Sequence, residues 1–183
     1  MTGRLRTRPE LLLPLTSLLL TLSAFALVPA YSEATLGAFD VYNALQIFAR
    51  LGPLVLALGL TMIAGEFDLS VVGTYALGGM LTVQAGQDHY ALGVLAAVGA
   101  GAAVGLLQGC VIAGLRIPSM PVTLATYIAL LGLTSALSGG LTKTYTNVTV
   151  TLWVDQTVMT YFSPRSLITL SLFGVAVLSL IHI

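Results

Sequence analysis

The stretch Gly65 to Ser70 reads GEFDLS and separates two long apolar runs of the chain. It places two carboxylates, Glu66 and Asp68, where almost every neighbouring residue on either side is apolar. Charged groups at membrane depth are costly, so they persist where they have a function or line a polar path. The stretch therefore indicates a membrane protein whose working region lies near these residues.

The composition of the chain supports the same interpretation. Of its 183 residues, 57% are hydrophobic and 8% are charged, and the mean hydropathy is +0.98. A soluble domain is about 25% charged, so lipid is expected to be the main solvent of this chain. The net charge is zero, which argues against a nucleic-acid partner. The single cysteine, Cys110, lies in an apolar segment, and we interpret it as a small packing residue.

Six apolar segments approach the roughly 17–25 residues that a membrane-crossing helix needs. They are Leu11 to Val28, Ile47 to Ala64, Leu69 to Ala85, Ala91 to Leu115, Pro121 to Ser138, and Leu167 to the end. Only helices and closed barrels satisfy their backbone groups in lipid, and no alternating strand pattern indicates a barrel. The sequence therefore predicts an all-α integral membrane protein with six spans.

The first segment has two interpretations. Arg4, Arg6 and Arg8 precede its leucine-rich core, and Val28-Pro29-Ala30 follows it, which is also typical of a cleaved signal peptide. A retained span is favoured, because five further segments follow. Either way the arginines are expected to stay in the cytoplasm. Alternation of the spans then makes residues 139–165 an external loop.

This loop is rich in threonine and β-branched residues. It is predicted to form either a short extended piece or a helix lying on the outer surface. In the second case Trp153, Tyr161 and Phe162 would lie at the membrane interface, where aromatic side chains are enriched.

Small residues recur every four positions in the fourth segment. The stripe comprises Gly93, Ala97, Gly101, Gly105, Gly109 and Ala113. There is little hydrophobic driving force between helices in lipid, and small residues allow the close backbone packing that replaces it. The stripe therefore predicts packing against a neighbouring helix, in this chain or in a partner, and not a binding site.

The second and third segments are short once their polar joint is removed, and Pro53 interrupts the second. Short segments interrupted by glycine or proline often mark the discontinuous helices of a transport path. Helical spacing from Asp68 brings to one face Val72, Tyr75, Gly79, Thr82 and Gly86. This face is predicted to line a path, with Asp68, Tyr75 and Thr82 as its polar groups. The alternative is that Glu66 and Asp68 form a solvated loop at the cytoplasmic boundary.

The sequence contains no enzyme signature: no phosphate-binding GxxxxGK[ST] loop, no GxSxG, no HExxH and no CxxC. Neither His89 nor His182 has a second ligand at metal spacing. The chain is therefore not expected to be an enzyme, to hold a metal or to carry a cofactor.

Two motifs resemble a known family. Phe67 to Val71 reads FDLSV and is followed by Ala76-Leu77, which resembles the G-I-D-L-S-V-G signature of the ribose-type (branched-chain amino acid/ribose class) permeases of bacterial ABC importers. Gly105 to Thr126 reads GLLQGCVIAGLRIPSMPVTLAT and is similar to that family's G-x-x-x-G-x-x-x-x-x-x-R-I-P-x-F-I-x-T-L pattern. The second motif runs from the end of one span into the next, and the resemblance covers Tyr42 to Val177.

The resemblance implies the permease subunit of a bacterial ABC importer for a monosaccharide or a similar small polar solute. It implies a multi-pass location in the inner membrane, a second permease subunit, identical or different, and separate ABC ATPase subunits. It also implies an external or periplasmic solute-binding protein. The alternatives are a permease for a nucleoside, a polyol or a branched-chain amino acid, and a non-transporting membrane scaffold.

The chain departs from the family pattern in sequence and in length. Val72 stands where the family has glycine, and Met120-Pro121 replaces Phe-Ile, which affects local helix geometry. Family permeases are longer, so the chain is expected to be an N-terminal portion of a permease. Residues 178–183 read LSLIHI, the translation of a transposon end used to fragment DNA, and are expected to be adapter-derived.

Asp68 is the main candidate for a role in transport, followed by Ser70 and Glu66. An aspartate at a helix start accepts hydrogen bonds from backbone N–H groups, and its negative charge interacts favourably with the positive end of the helix dipole. The same carboxylate can also bind hydroxyl groups of a solute, or hold a gate through a charge pair. The sequence leaves these three roles open.

Overall fold

The computed structural model describes residues 9–32 and 37–182, and these residues are mostly helical. The helices are α1 (Pro9–Ser32), α2 (Ala38–Ile63), α3 (Ser70–Ala85), α4 (Tyr90–Leu115), α5 (Ser119–Ser138), α6 (Val148–Asp155) and α7 (Pro164–His182). An isolated antiparallel bridge joins Val158 to Phe162. The prediction of an all-α chain is confirmed.

Three of the described helices, α2, α4 and α5, are long and apolar enough to cross a membrane. Two shorter apolar stretches, Thr16–Leu27 of α1 and Pro164–Leu180 of α7, accompany them. Helix α3 has 16 residues, which is about 24 Å of helix against a hydrocarbon core of about 30 Å. The six predicted segments correspond to α1 to α5 and α7, while the number of spans stays a prediction. Helix α2 begins at Ala38 rather than near Ile47 and continues through Pro53, so the expectation that the second segment is short is wrong.

The chain divides into two compact units, residues 1–41 and 42–183. In the first unit, the Gly37 N–H donates to the Asp40 carboxylate at 2.8 Å, and the Asp40 N–H donates to the Gly37 carbonyl at 3.1 Å. A carboxylate in the first turn of a helix also stabilises it, because the negative charge lies at the positive end of the helix dipole. The arginines of the orientation prediction, Arg4, Arg6 and Arg8, lie outside the described residues. The second unit contains the rest of α2 and helices α3 to α7.

Helices α3 and α4 meet most closely at a pair of glycines. A Cβ atom built on Gly93 would lie 2.5 Å from the Thr82 carbonyl oxygen and 2.8 Å from the Cα of Gly86. Both distances are shorter than real Cβ contacts, so only glycine fits at this crossing. The predicted stripe therefore begins at a point where two backbones touch.

The next two stripe positions also face α3. A Cβ built on Gly78 would lie 3.7 Å from the Cβ of Ala97, and one built on Gly101 would lie 3.5 Å from Cγ2 of Thr74. Position numbers fall along α3 as they rise along α4, so the two helices are antiparallel. Together these contacts bring the start of α3 beside the middle of α4.

Helix α3 packs on α5 as well as on α4. A Cβ built on Gly73 would lie 3.0 Å from the Cβ of Leu130, and both Leu77 and Leu130 are buried. At the start of the pair, the Thr123 hydroxyl donates to the Phe67 carbonyl at 3.3 Å. The α2–α3 turn and the beginning of α5 therefore lie at the same end of the helices.

The loop of residues 139–165 is bonded to the turn between α3 and α4. The Gln87 side chain accepts hydrogen bonds from the Thr146 backbone N–H at 3.1 Å and from the Thr146 hydroxyl. The Tyr145 hydroxyl donates to the Gly86 carbonyl at 2.6 Å. This loop and the α3–α4 turn therefore lie together at the other end of the helices.

Within this loop the structure has a helix, α6, which is one of the two forms that the sequence left open. At its C-terminal end the Asp155 carbonyl accepts a hydrogen bond from the Tyr42 hydroxyl of α2. The Asp155 carboxylate forms an ion pair of 2.8 Å with Arg165, at the start of α7. Trp153 and Tyr161 are exposed, and Phe162 is half-buried.

Replacing Gly93 with alanine is expected to destabilise the fold, because the added methyl group would collide with backbone atoms of α3. Overpacking of this kind costs about 1–3 kcal/mol, which a thermal unfolding measurement on the purified protein detects as a lower midpoint. The matched control is Gly99→Ala on the same helix, where no atom lies within 4 Å of the Cβ position. Equal midpoints for the two variants would contradict the close crossing of α3 and α4.

Candidate functional site

A cavity of about 330 Å³ lies between α2, α3 and α4. Its walls are formed by Pro53, Leu54 and Ala57 of α2, by Asp68, Ser70, Val71, Thr74 and Tyr75 at the start of α3, and by Gly101, Val104 and Gly105 of α4. Most of these residues are apolar, while one carboxylate and three hydroxyl groups supply oxygen atoms. An apolar wall with a few polar groups is typical of a site that orients a small molecule.

Asp68 is fixed at the start of α3 by two hydrogen bonds from Ser70. Its Oδ1 accepts from the Ser70 backbone N–H at 2.8 Å and from the Ser70 hydroxyl at 2.6 Å. Because α3 begins at Ser70, the carboxylate satisfies one of the N–H groups that have no partner within the helix. Ser70 is only 3% exposed, so this arrangement anchors Asp68 to a buried residue.

Three groups of the cavity retain hydrogen-bonding capacity. Among the described residues none donates to the Oδ2 atom of Asp68, and the Thr74 hydroxyl has no hydrogen-bond partner. The Tyr75 hydroxyl donates to the Arg50 carbonyl at 2.7 Å, and its oxygen can still accept a bond. A ligand in the cavity would thus meet a carboxylate oxygen and two hydroxyl groups.

The structure brings together three of the five residues predicted to line the path. Asp68, Ser70 and Tyr75 all line the cavity. Glu66 is exposed in the α2–α3 turn, outside the lining. Thr82 also lies outside it, and its hydroxyl donates to the Gly78 carbonyl of its own helix at 2.8 Å.

The stripe of small residues is divided between two environments. Gly93 and Ala97 face α3, and Gly101 both faces α3 and lines the cavity. Gly105 lines the cavity with no atom within 4 Å of its Cβ position, and Gly109 is exposed with no such atom either. Packing of the last two positions against another helix stays a prediction.

Sequence reasoning missed Thr74 and the α2 wall. The predicted face was counted from Asp68, but α3 begins at Ser70, so Asp68 precedes the helical repeat. Counting from Ser70 instead gives Thr74 one turn later. The sequence did single out Pro53, since a proline within an apolar span interrupts the backbone hydrogen bonding of a helix.

Within the described residues no group of three or more histidine, cysteine, aspartate or glutamate side chains is arranged to hold a metal ion.

A family model described as branched-chain amino acid transport system / permease component matches residues 42–183. The chain belongs to this permease family. The match includes every residue of the cavity and confirms the resemblance seen in the two sequence motifs.

A curated relative is the L-arabinose ABC transporter permease protein AraH of Azospirillum brasilense, which is 36% identical over 103 residues. The match covers 55% of this chain but only 30% of the relative, so the chain matches less than a third of the relative's length. No solved structure gives a significant match. Membership of a transport permease family agrees with the expectation that the chain is not an enzyme.

Proposed function

We propose that the chain is a permease subunit of an ABC importer and that the cavity between α2, α3 and α4 is part of the path of a monosaccharide or a similar small polar solute. The observation that carries this proposal is the convergence of Asp68, Thr74 and Tyr75 on one cavity in an otherwise apolar wall. A charged group in such surroundings is a candidate for function by default.

The chemistry of the wall favours a polyhydroxylated solute. Carboxylate and hydroxyl oxygens are suitable partners for sugar hydroxyl groups, and about 330 Å³ is near the lower end of the range for small-molecule sites. No lysine, arginine or histidine lines the cavity. A branched-chain amino acid would bring a carboxylate that this wall leaves unpaired, so that alternative is less well supported than a sugar or a polyol. The L-arabinose permease among the relatives supports the same class.

The proposed transporter contains further subunits. The sequence has no phosphate-binding loop, so ATP hydrolysis is assigned to separate ABC ATPase subunits, as in the family. A second permease subunit and an external solute-binding protein complete the assembly in the bacterial inner membrane. In this assembly the exposed Gly109, which lies outside the cavity lining, faces a helix of a partner or another part of the permease.

We further propose six spans with the N-terminus in the cytoplasm. The hydrogen bonds described above support the arrangement of the loops, because they group the α3–α4 turn with residues 139–165 at one end. They group the α2–α3 turn with the start of α5 at the other end. Alternating spans require the same grouping, with the first end outside the cell and the second inside.

Cysteine labelling tests this topology. In a Cys110→Ser background, single cysteines at Asp88 and Thr149 are expected to react with a membrane-impermeant maleimide added outside the cell. A cysteine at Ser119 should react only after the membrane is permeabilised. Reaction of the Ser119 cysteine from outside would contradict the proposed orientation.

Asp68→Asn tests the proposed path. The asparagine oxygen can replace Oδ1 at the helix start, so the variant should fold and reach the membrane at the normal level. Uptake of the solute should nevertheless fall by about 10–100-fold, because a hydrogen bond to a charged group is worth about 1.5–3 kcal/mol. Asp68→Ala removes both the hydrogen bonds at the helix start and the contact with the solute. The abundance of this variant in the membrane should therefore fall as well as its uptake.

The matched control is Asp88→Asn, which makes the same chemical change at an exposed residue of the α3–α4 turn. Uptake of labelled L-arabinose and of other monosaccharides, and the abundance of the permease, are measured for all three variants in cells that carry the assembled transporter. If both Asp68 variants retain normal uptake and abundance, the carboxylate is a solvated turn residue and the proposed site is wrong.

A further inference from the structure

Helix α2 contains a break in its backbone hydrogen bonding. Pro53 lies inside the helix and has no N–H group, so the Ala49 carbonyl, four residues earlier, loses its partner within the helix. Ala49 is only 5% exposed. A buried carbonyl without a hydrogen bond is costly, and proline is tolerated in membrane helices where neighbouring side chains replace the lost bond.

Thr169 of α7 supplies the missing hydrogen bond. Its Oγ1 atom donates to the Ala49 carbonyl at 3.2 Å, and the residue is 3% exposed. Gly52 makes this approach possible, because a Cβ at that position would lie 2.9 Å from Cγ2 of Thr169. Beside it, the rings of Phe48 and Phe173 pack with their centroids 5.2 Å apart. Helix α7 is thus docked on α2 at the proline break.

A second hydroxyl group reaches the neighbouring carbonyl from another helix. Tyr75 of α3, which lines the cavity, donates to the Arg50 carbonyl at 2.7 Å. Two adjacent carbonyls of α2, both on the N-terminal side of Pro53, therefore accept hydrogen bonds from side chains of two other helices. The α2 wall of the cavity is formed within the next two turns, by Pro53, Leu54 and Ala57.

We propose that Thr169 is a positioning residue for transport: it replaces the hydrogen bond that Pro53 removes, and so fixes the part of α2 that forms the cavity wall. Thr169 does not line the cavity. It acts through Ala49 and the proline break. This inference rests on the proposed function of the cavity as a transport path, whereas the hydrogen-bond relation between Thr169 and Pro53 does not depend on that function.

A double-mutant cycle tests the relation. Thr169→Val keeps the shape of the side chain and removes its hydroxyl group, and Pro53→Ala restores an N–H group that can bond the Ala49 carbonyl. In the assembled transporter, Thr169→Val should lower the thermal unfolding midpoint by about 2–4 °C, the shift expected for the loss of one hydrogen bond. In the Pro53→Ala background the same substitution should produce no further shift.

Two variants provide the controls. Thr169→Ser keeps the hydroxyl group and should restore the behaviour of the unmodified protein. Thr134→Val removes a hydroxyl group that donates only to the Leu130 carbonyl of its own helix at 2.8 Å. The shift in unfolding midpoint that it causes should therefore be the same with proline and with alanine at residue 53. An equal effect of Thr169→Val in both backgrounds would overturn the proposed hydrogen-bond replacement.

The position of the wall is measured separately with a cysteine at Ala57, in a Cys110→Ser background. If Thr169 fixes the wall, Thr169→Val should change the rate of maleimide labelling at this cysteine by about fivefold. Thr169→Ser should leave the rate unchanged. The Pro53→Ala background should abolish the effect of Thr169→Val. If Thr169→Val leaves the labelling rate unchanged while residue 53 is still proline, the positioning role is wrong.

Uptake measurements on the same variants distinguish the two proposals. Thr169→Val should lower the maximal uptake rate, and Thr169→Ser should restore it. If the labelling cycle behaves as expected while uptake by Thr169→Val stays normal and the Asp68 variants lose uptake, the transport part of the inference alone is wrong. If the Asp68 variants keep normal uptake as well, the cavity is not the transport path and both proposals fail. If the cycle shows no coupling while the Asp68 variants lose uptake, the positioning role alone is wrong.

Discussion

Every backbone N–H and carbonyl group in an apolar surrounding needs a hydrogen-bond partner, and this constraint shapes the whole second unit. The helices satisfy it internally along most of their length, and hydroxyl groups such as those of Thr126 and Thr134 donate back to carbonyls of their own helix. At Pro53 the bond within the helix is missing, because proline has no N–H group. The Ala49 carbonyl then takes its partner, Thr169, from another helix, so the break in α2 is where α7 contacts it.

Helix α3 connects this break to the rest of the unit. Its start is fixed by Asp68, its Tyr75 reaches α2, and its Gly73 and Gly86 allow α5 and α4 to approach closely. One short helix thus contacts three longer ones, two of which, α2 and α4, line the cavity with it. The polar oxygens of the cavity come from Asp68 and the first turns of α3, so the candidate site and the packing contacts share this helix.

The sequence was sufficient for the features that depend on local patterns. Apolar length predicted the helices, and helical spacing from Asp68 placed both Tyr75 and Thr82 on its face, of which Tyr75 lines the cavity and Thr82 does not. The relation between Thr169 and Ala49 was not predictable, because the two residues are 120 positions apart and a threonine in an apolar segment gives no sign of its partner. The bond between Gln87 and Thr146, at a separation of 59 residues, was missed for the same reason.

The central claim is that the cavity between α2, α3 and α4 is a water-accessible path for solute, and labelling of a cysteine at Thr74 tests it most directly. In a Cys110→Ser background within the assembled transporter, we expect a polar maleimide to label this cysteine. The labelling rate should change when the ATPase subunits bind ATP, and a transported monosaccharide should slow it. A Thr74 cysteine that stays unlabelled with and without ATP, while a cysteine at the exposed Asp88 is labelled, would contradict the account.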